Sequence, residues 1–499
     1  MNIVTVVNFI RGEDWRISRA DMVEAVVRQV ELAKEYDMPI TFLLQPDAVR
    51  DSEYTSLIPR KDNVEIGMWL ELNRSLVLAA GGEWLGGDYE WFPHAGIDLP
   101  CGYAPEIRRK MVDIAMEEFK KVFGCYPKTV GSWVLDCVCL EHMEKHYGVT
   151  AALNCKDQWG TDSYTLWGGY FNQAFYPTLT NAFTPATKKG NQINIPVFRM
   201  LGSDPVEQYD LDAGDNGQLV MTLEPYYETS GSNPEWVRWF FEQMNLYPTL
   251  SFGYAQAGQE NSFGWSRMKK GYELQMKFLV QLAEEGKITF MTVSDAAQWY
   301  KDRYEITPPS ANVAKKGDKD AVWFCNANYR FGFYADSNVI YIRDVQLFKD
   351  DYAERYLNDV CELKSAVYDN IPLVDGYLWC GCKSTKDAGL FFEKDGKILK
   401  GKAEVVVEEC SEEAIMRILV TAGEEKIRID LCDKGVVFYT DCSLKWIYEE
   451  ERSRASILFG ENGIVVNHNG YECSIDVHGE VNTDERSISP INGKIVLNL

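Results

Sequence analysis

Histidine is scarce in this chain. Only 5 of 499 residues are His, which leaves little material for His-ligated metal centres or His-based proton transfer. Positive charge is also short: 51 Lys+Arg stand against 75 Asp+Glu, a formal net charge of −24. Such a chain repels nucleic-acid phosphates and anionic lipid headgroups, so neither nucleic acid nor a membrane surface is expected as a partner. There is no apolar run of about 18 residues, the length that a membrane-spanning helix needs. The N-terminal MNIVTVVNFIRGEDW lacks a basic stretch, a long apolar core and a small-residue cleavage site, so no signal peptide is expected. CxxC is missing. The 13 Cys are scattered, with Cys137/Cys139 and Cys380/Cys382 each two apart. Reduced, mostly buried thiols and a cytoplasmic location are therefore expected. No GxGxxG follows the first apolar run, which removes the usual dinucleotide fingerprint.

What the chain does contain is ordinary globular material, 46% hydrophobic and 25% charged. Its length exceeds what one core usually supports, so two or more domains are expected. Through residue 305, short apolar runs (IVTVVNF, PITFLLQ, VEIGMWLE, TVGSWVLD) alternate with amphipathic helical stretches. Ser18 and Asp21 mark a helix start, Pro105–Phe123 reads as a helix closed by Gly124, and a further helix ends at Gly148. Continuous apolar strands alternating with helices predict a parallel sheet covered on both faces, here a (β/α)7–8 barrel over residues 1–305. Residues 306–320, with Pro308-Pro309 and the run AKKGDKD, read as a linker. Residues 321–499 carry short alternating runs separated by Gly, Asp, Asn and Lys, which predicts an all-β sandwich. The fold class is therefore α/β followed by all-β.

In such a barrel the acting residues lie at or just beyond the C-terminal ends of the strands. That rule yields Glu13, with Arg11 and Asp14, after the first strand, and Trp69 and Glu71 at the third. The fourth delivers Trp133 and Asp136, and the fifth Asp157 and Gln158 beside Lys156. Later strands supply Glu224, then Gln256 and Glu260. His94 sits in the aromatic loop WFPHAG, and Trp167 in WGTDSYTLWGGYF. Eleven of the 14 Trp fall in the first 300 residues. Flat aromatic faces beside paired carboxylates suit carbohydrate, since sugar C–H faces stack on indoles and two carboxylates cleave glycosidic bonds. Taken singly, each residue has an ordinary alternative as core filler or solvated rim.

The segments IVTVVNF, PITFLLQPDA, VEIGMW, YPKTVGSW and ITFMTVSDAAQWY, in that order, resemble the glycoside hydrolase/deacetylase superfamily over about residues 1–300. That superfamily groups polysaccharide deacetylases with family-57 and family-38 type glycosidases on a (β/α)7-like barrel. LQPDA, EIGMWLE, YPKTVGSWVLD, TLEP and GYAQAGQENSF are similar, more narrowly, to an uncharacterised gut-bacterial group classed with glycoside hydrolases. In the deacetylase branch, paired Asp after the first strand and the His residues of an EIGxHxxxH-like motif bind a divalent metal. Here Trp69 and Asn73 take the two His positions, and the acids after the first strand are displaced to Glu13 and Asp14. No metal and no other cofactor is therefore expected.

The glycosidase branch implies a carboxylate nucleophile after the fourth strand and an acid from a late strand. Asp136 fits the first place and Glu224 or Glu260 the second, with Glu13 and Glu71 as further catalytic candidates. Trp69, Trp133, His94, Asp157, Gln158, Trp167 and Gln256 are the candidate substrate contacts. The expected function is hydrolysis of a glycosidic bond in a carbohydrate substrate. The alternatives are a metal-dependent deacetylase with an atypical site around Glu13, Glu71 and Asp136, or a non-catalytic carbohydrate-binding protein.

Overall fold

In the computed structural model, described for all residues except 162, 208–220, 247–249, 381–385, 412 and 462, the apolar runs of the first half become strands in chain order. They are β1 (Asn2–Ile10), β2 (Ile40–Leu44), β3 (Val64–Trp69), β4 (Thr129–Gly131), β5 (Ala151–Cys155), β6 (Gln158–Thr161), β7 (Tyr164–Trp167), β8 (Ala174–Phe175), β9 (Val197–Met200), β10 (Gly253–Ala257) and β11 (Thr289–Phe290). The helices used below are α1 (Arg19–Glu35), α2 (Pro105–Phe123), α3 (Cys137–Tyr147), α4 (Pro234–Asn245), α5 (Trp265–Glu284) and α6 (Val293–Lys301). Their ends follow local chemistry. Ser18 Oγ accepts from the Asp21 N–H at 3.3 Å to open α1, and α2 stops at Gly124, whose φ of 83° is left-handed.

One sheet runs β10-β1-β2-β3-β4-β5-β9, all parallel, with β8 added antiparallel to β9. Ile3 to Ile10 are buried without a break, as a strand covered on both faces requires. The sheet curls but does not close as a hydrogen-bonded (β/α)7–8 barrel among the described residues. The reason lies in β11, the strand expected to complete the ring. It pairs with Ile3 and Val4 of β1, which β10 already flanks on its other edge. The gap between β9 and β10 is instead spanned by a side chain: Gln256 Oε1 accepts the Leu201 N–H at 2.7 Å.

Among the described residues, the second half is built mainly of antiparallel strands in two sheets of ten and eight strands. Ile342, Leu390 and Phe392 of one sheet share a core with Ile418, Ile429 and Phe438 of the other. Part of the segment read as a linker is structure: β12 (Ser310–Lys316) pairs with β13 (Lys319–Cys325). The AKKGDKD run holds their two-residue turn, Gly317-Asp318, with Gly317 at φ 65°. The two halves are joined by more than the chain. Strand β14 (Tyr329–Ala335) precedes β15 (Ile340–Leu347), and β16 (Ala366–Asp369) then pairs parallel with β7 of the first half. Buried Arg330 ties Asp157 (2.6 Å) to Asp344 (2.7 Å).

Candidate active site

Beyond the C-terminal strand ends lies a cavity of about 360 Å³, within the size range of small-molecule sites. Glu71, Glu224 and Glu260 line it, with Arg11, Trp91 and Trp133. Arg11 organises one wall. Its guanidinium grips Glu71 from Nε (3.2 Å) and Nη2 (3.1 and 2.9 Å). It also reaches Asp14 (2.9 Å), Ser262 (2.8 Å) and Glu260 (3.2 Å). The Trp91 ring covers its Cζ at 3.9 Å, a cation–π contact. Strand geometry explains the convergence: Arg11 follows β1, Glu71 follows β3 and Glu260 follows β10. Asn261 fixes the segments after β1 and β10 together, accepting the Arg11 N–H (2.9 Å) and donating to the Arg11 carbonyl (3.0 Å).

Glu71 and Glu260 share this arginine but differ in their contacts. Glu71 accepts the bidentate guanidinium and the Trp69 indole N–H (3.2 Å), which occupies both of its oxygens. Glu260 makes a single contact with Arg11 at the cavity wall. Burial pushes its pKa up to about 7 against the pull of Arg11, and the charge of Glu71 adds to the rise. A carboxyl that titrates near neutrality can give or take a proton there.

Glu224 enters the same cavity from a different segment. The Lys156 ammonium lies 3.7 Å from its Oε1, and both side chains are buried. Helix α5 pins the backbone around it, since Gln275 Nε2 donates to the carbonyls of Leu223 (2.9 Å) and Gly231 (2.7 Å). Gly231 approaches so closely that a Cβ there would stand 2.0 Å from the Glu224 carbonyl oxygen. Gln158 and half-buried Trp133 complete a wall with polar and flat apolar surface. A neighbouring cleft of about 420 Å³ shares Trp91 and Ile17 with the cavity.

Of the sequence-predicted residues, Glu71, Glu224, Glu260, Trp133 and Gln158 line the cavity. Trp69 stands behind it, donating to Glu71 and packed 4.8 Å from Trp133. Glu13 is exposed and lines the neighbouring cleft. The others are placed elsewhere. Asp157 is consumed by Arg199 (2.8 Å) and Arg330 (2.6 Å). Trp167 is buried between the halves, its indole N–H on Asp375 at 3.0 Å. Gln256 is spent on the Leu201 backbone. His94 is not among the residues lining the cavity, although its neighbour Pro93 is.

Asp136 does not line the cavity either. Strand β4 ends at Gly131, and the chain then turns so that Asp136 caps α3, accepting the Cys139 N–H at 2.7 Å. Arg108 lies 3.5 Å from its other oxygen. Asp136→Asn is therefore expected to retain turnover and the cap while losing about 1.5–3 kcal/mol of stability, because buried Arg108 loses its charged partner. Paired activity and denaturation measurements check this, and lost turnover with unchanged stability would return Asp136 to the chemistry. Arg11, Trp91 and Lys156 were the contributors least visible beforehand. Their one sequence signal was position at strand ends or in the aromatic loop.

Several buried carboxyls are held protonated into the neutral range, with burial the first cause in each case. Asp47 is pushed up to about 6, Glu260 and Asp375 to about 7, and Glu354 to about 8. A raised carboxyl binds a proton in the folded state that the unfolded chain has already released. Its stabilisation is complete below the ordinary carboxylate range and is lost as pH rises through the folded value. The unfolding midpoint is thus expected to be higher near pH 5 than near pH 8.5. A flat midpoint across that window in calorimetry would contradict these assignments.

The metal implied by the deacetylase resemblance does not fit the residues present. The Trp69 indole is a donor, not a ligand, and Asn73 Oδ1 is taken by the Leu76 N–H at 3.1 Å. Asp14, Glu71 and Glu260 already surround a fixed cation, Arg11. Among the described residues no group of three or more His, Cys, Asp or Glu is arranged to hold a metal ion.

No family model and no curated protein matches the chain. Solved structures do. A protein from Parabacteroides distasonis described as a glycoside hydrolase/deacetylase overlaps 75% of this chain and 90% of its own, at 14% identity and TM-score 0.53. A Mycobacterium smegmatis protein described as a polysaccharide deacetylase covers 62% of this chain and 92% of its own, at 12% identity and TM-score 0.38. A GH57 branching enzyme from Thermococcus kodakaraensis covers 61% and 71%, at 11% identity and TM-score 0.31. The first of these likenesses is one of fold alone. No helix among the described residues is long and apolar enough to cross a membrane.

Proposed function

We propose that the protein is a carbohydrate-active hydrolase that cleaves a glycosidic bond with Glu260 and Glu224. The observation that carries this reading is one cavity whose three buried carboxyls include Glu260 and Glu224, which enter it from different segments. Glu260 is pushed up to about 7, and Glu224 faces the Lys156 ammonium. Glu260 donates its proton to the leaving glycosidic oxygen. Glu224, whose Oε1 lies 3.7 Å from the Lys156 Nζ, either attacks the anomeric carbon or activates the attacking water. The choice follows the separation of the carboxyls, about 5 Å for retention and about 6.5–9.5 Å for inversion. Glu71 is a positioning residue: clamped by Arg11 and Trp69, it holds the arginine that also contacts Glu260. Trp133 offers a ring face to the sugar, and Gln158 offers an amide to its hydroxyls. The fold likeness to a protein described as a glycoside hydrolase/deacetylase supports a carbohydrate substrate.

The test is product analysis on a panel of acetylated and plain oligosaccharides, with Glu224→Gln alongside the unmodified enzyme. New reducing ends that disappear in the variant support the proposal. Acetate released without new reducing ends would move the same cavity to deacetylation.

A further inference from the structure

A second reactive group lies away from the cavity, where the two halves of the chain meet. Cys101 belongs to a buried turn (Pro100–Gly102) that ends the loop carrying Trp91 and Pro93 to the cavity. Cys361 lies between β15 and β16. Its backbone N–H donates to the Cys101 carbonyl at 2.8 Å, and its thiol donates to the Leu363 carbonyl at 3.6 Å. A direct backbone hydrogen bond places two Cα atoms about 5–6 Å apart, inside the span a disulfide bridges. The segments are held in that position from both sides. Arg108 donates to the carbonyls of Tyr356 (2.7 Å) and Asp359 (2.8 Å), and the Ala95 N–H donates to the Lys364 carbonyl (2.9 Å).

We propose that Cys101 and Cys361 form an oxidisable dithiol, a modification site that closes to a disulfide under peroxide and ties the Trp91–Gly102 loop to the second half. The asymmetry of the pair suits this chemistry. The neighbouring Cys101 thiol brings Cys361 down to about 6, against burial, while burial holds Cys101 well above its ordinary value. The Cys361 thiolate attacks hydrogen peroxide, the O–O bond breaks, and hydroxide leaves and is protonated to water. The resulting sulfenic acid is attacked by the Cys101 sulfur, which gives up its proton as the S–O bond breaks. A second water leaves. Two thiols and one peroxide yield one disulfide and two waters, with the sulfurs losing the two electrons that peroxide gains.

The test is peptide mass mapping of the full-length protein after hydrogen peroxide, quenching, denaturation and iodoacetamide alkylation. The expected result is a Cys101–Cys361 linked peptide that dithiothreitol removes and Cys361→Ser never forms. The oxidised protein should also unfold at a higher temperature than the reduced one, with no such shift in Cys361→Ser. Exposed Cys125 reports that oxidant was present. The proposal is overturned if Cys125 is oxidised while Cys101 and Cys361 both remain alkylated, or if either pairs with a different cysteine.

Discussion

Glu260→Gln is expected to lower kcat by about 10²–10⁴-fold, the usual contribution of a positioned general acid. The change keeps shape and volume but removes the transferable proton. It also removes a charge that burial already disfavours, and Arg11 keeps Glu71 and Asp14. The fold should therefore survive, with an unfolding midpoint equal to or above that of the unmodified enzyme. In the latter, kcat/KM should fall as pH rises through about 7, because Glu260 must be protonated to assist departure. The variant should lack that limb. Near-normal turnover in the variant would remove Glu260 from the mechanism.

The second large effect is structural. Arg11→Met is expected to cost about 3–5 kcal/mol, the usual consequence of stripping the partner from buried charges. Asp14, Glu71 and Glu260 would then face one another without their common cation. If the variant folds, Glu260 loses the group that lowers its pKa, and the alkaline limb should move to higher pH. Chemical denaturation measures the first expectation and a pH–rate profile the second. A stability loss below about 1 kcal/mol, the value of an exposed ion pair, would show that the cluster is solvated rather than buried.

The contrast between Glu260 and Asp136 shows what could be read from the chain alone. The rule that acting residues follow strand ends selected Glu71 and Glu260, because β3 and β10 end within a few residues of them. The same rule failed for Asp136 because the apolar run TVGSWVLD looks like one strand but leaves the sheet after Gly131. The remaining apolar residues face a core instead of continuing the ladder, and Val134 is buried there. Trp167 and Asp157 misled for a different reason. Their partners Asp375, Arg330 and Asp344 come from the second half, and no local pattern announces contacts across such sequence separations. The open sheet was hidden too, since the short last strand carries no mark of which edge it will take. Arg11 was visible only as a strand-end residue. Its central place needs the three carboxylates around it in space.

The most direct measurement compares leaving groups in Glu260→Gln. A substrate whose leaving group needs no protonation, such as a dinitrophenyl glycoside of the sugar that the enzyme accepts, should recover most of the lost rate. The deficit should shrink from about 10²–10⁴-fold on an alkyl glycoside to within about tenfold. An equal deficit on both substrates would contradict proton donation by Glu260, and with it the assignment of this cavity to two-carboxylate glycoside hydrolysis.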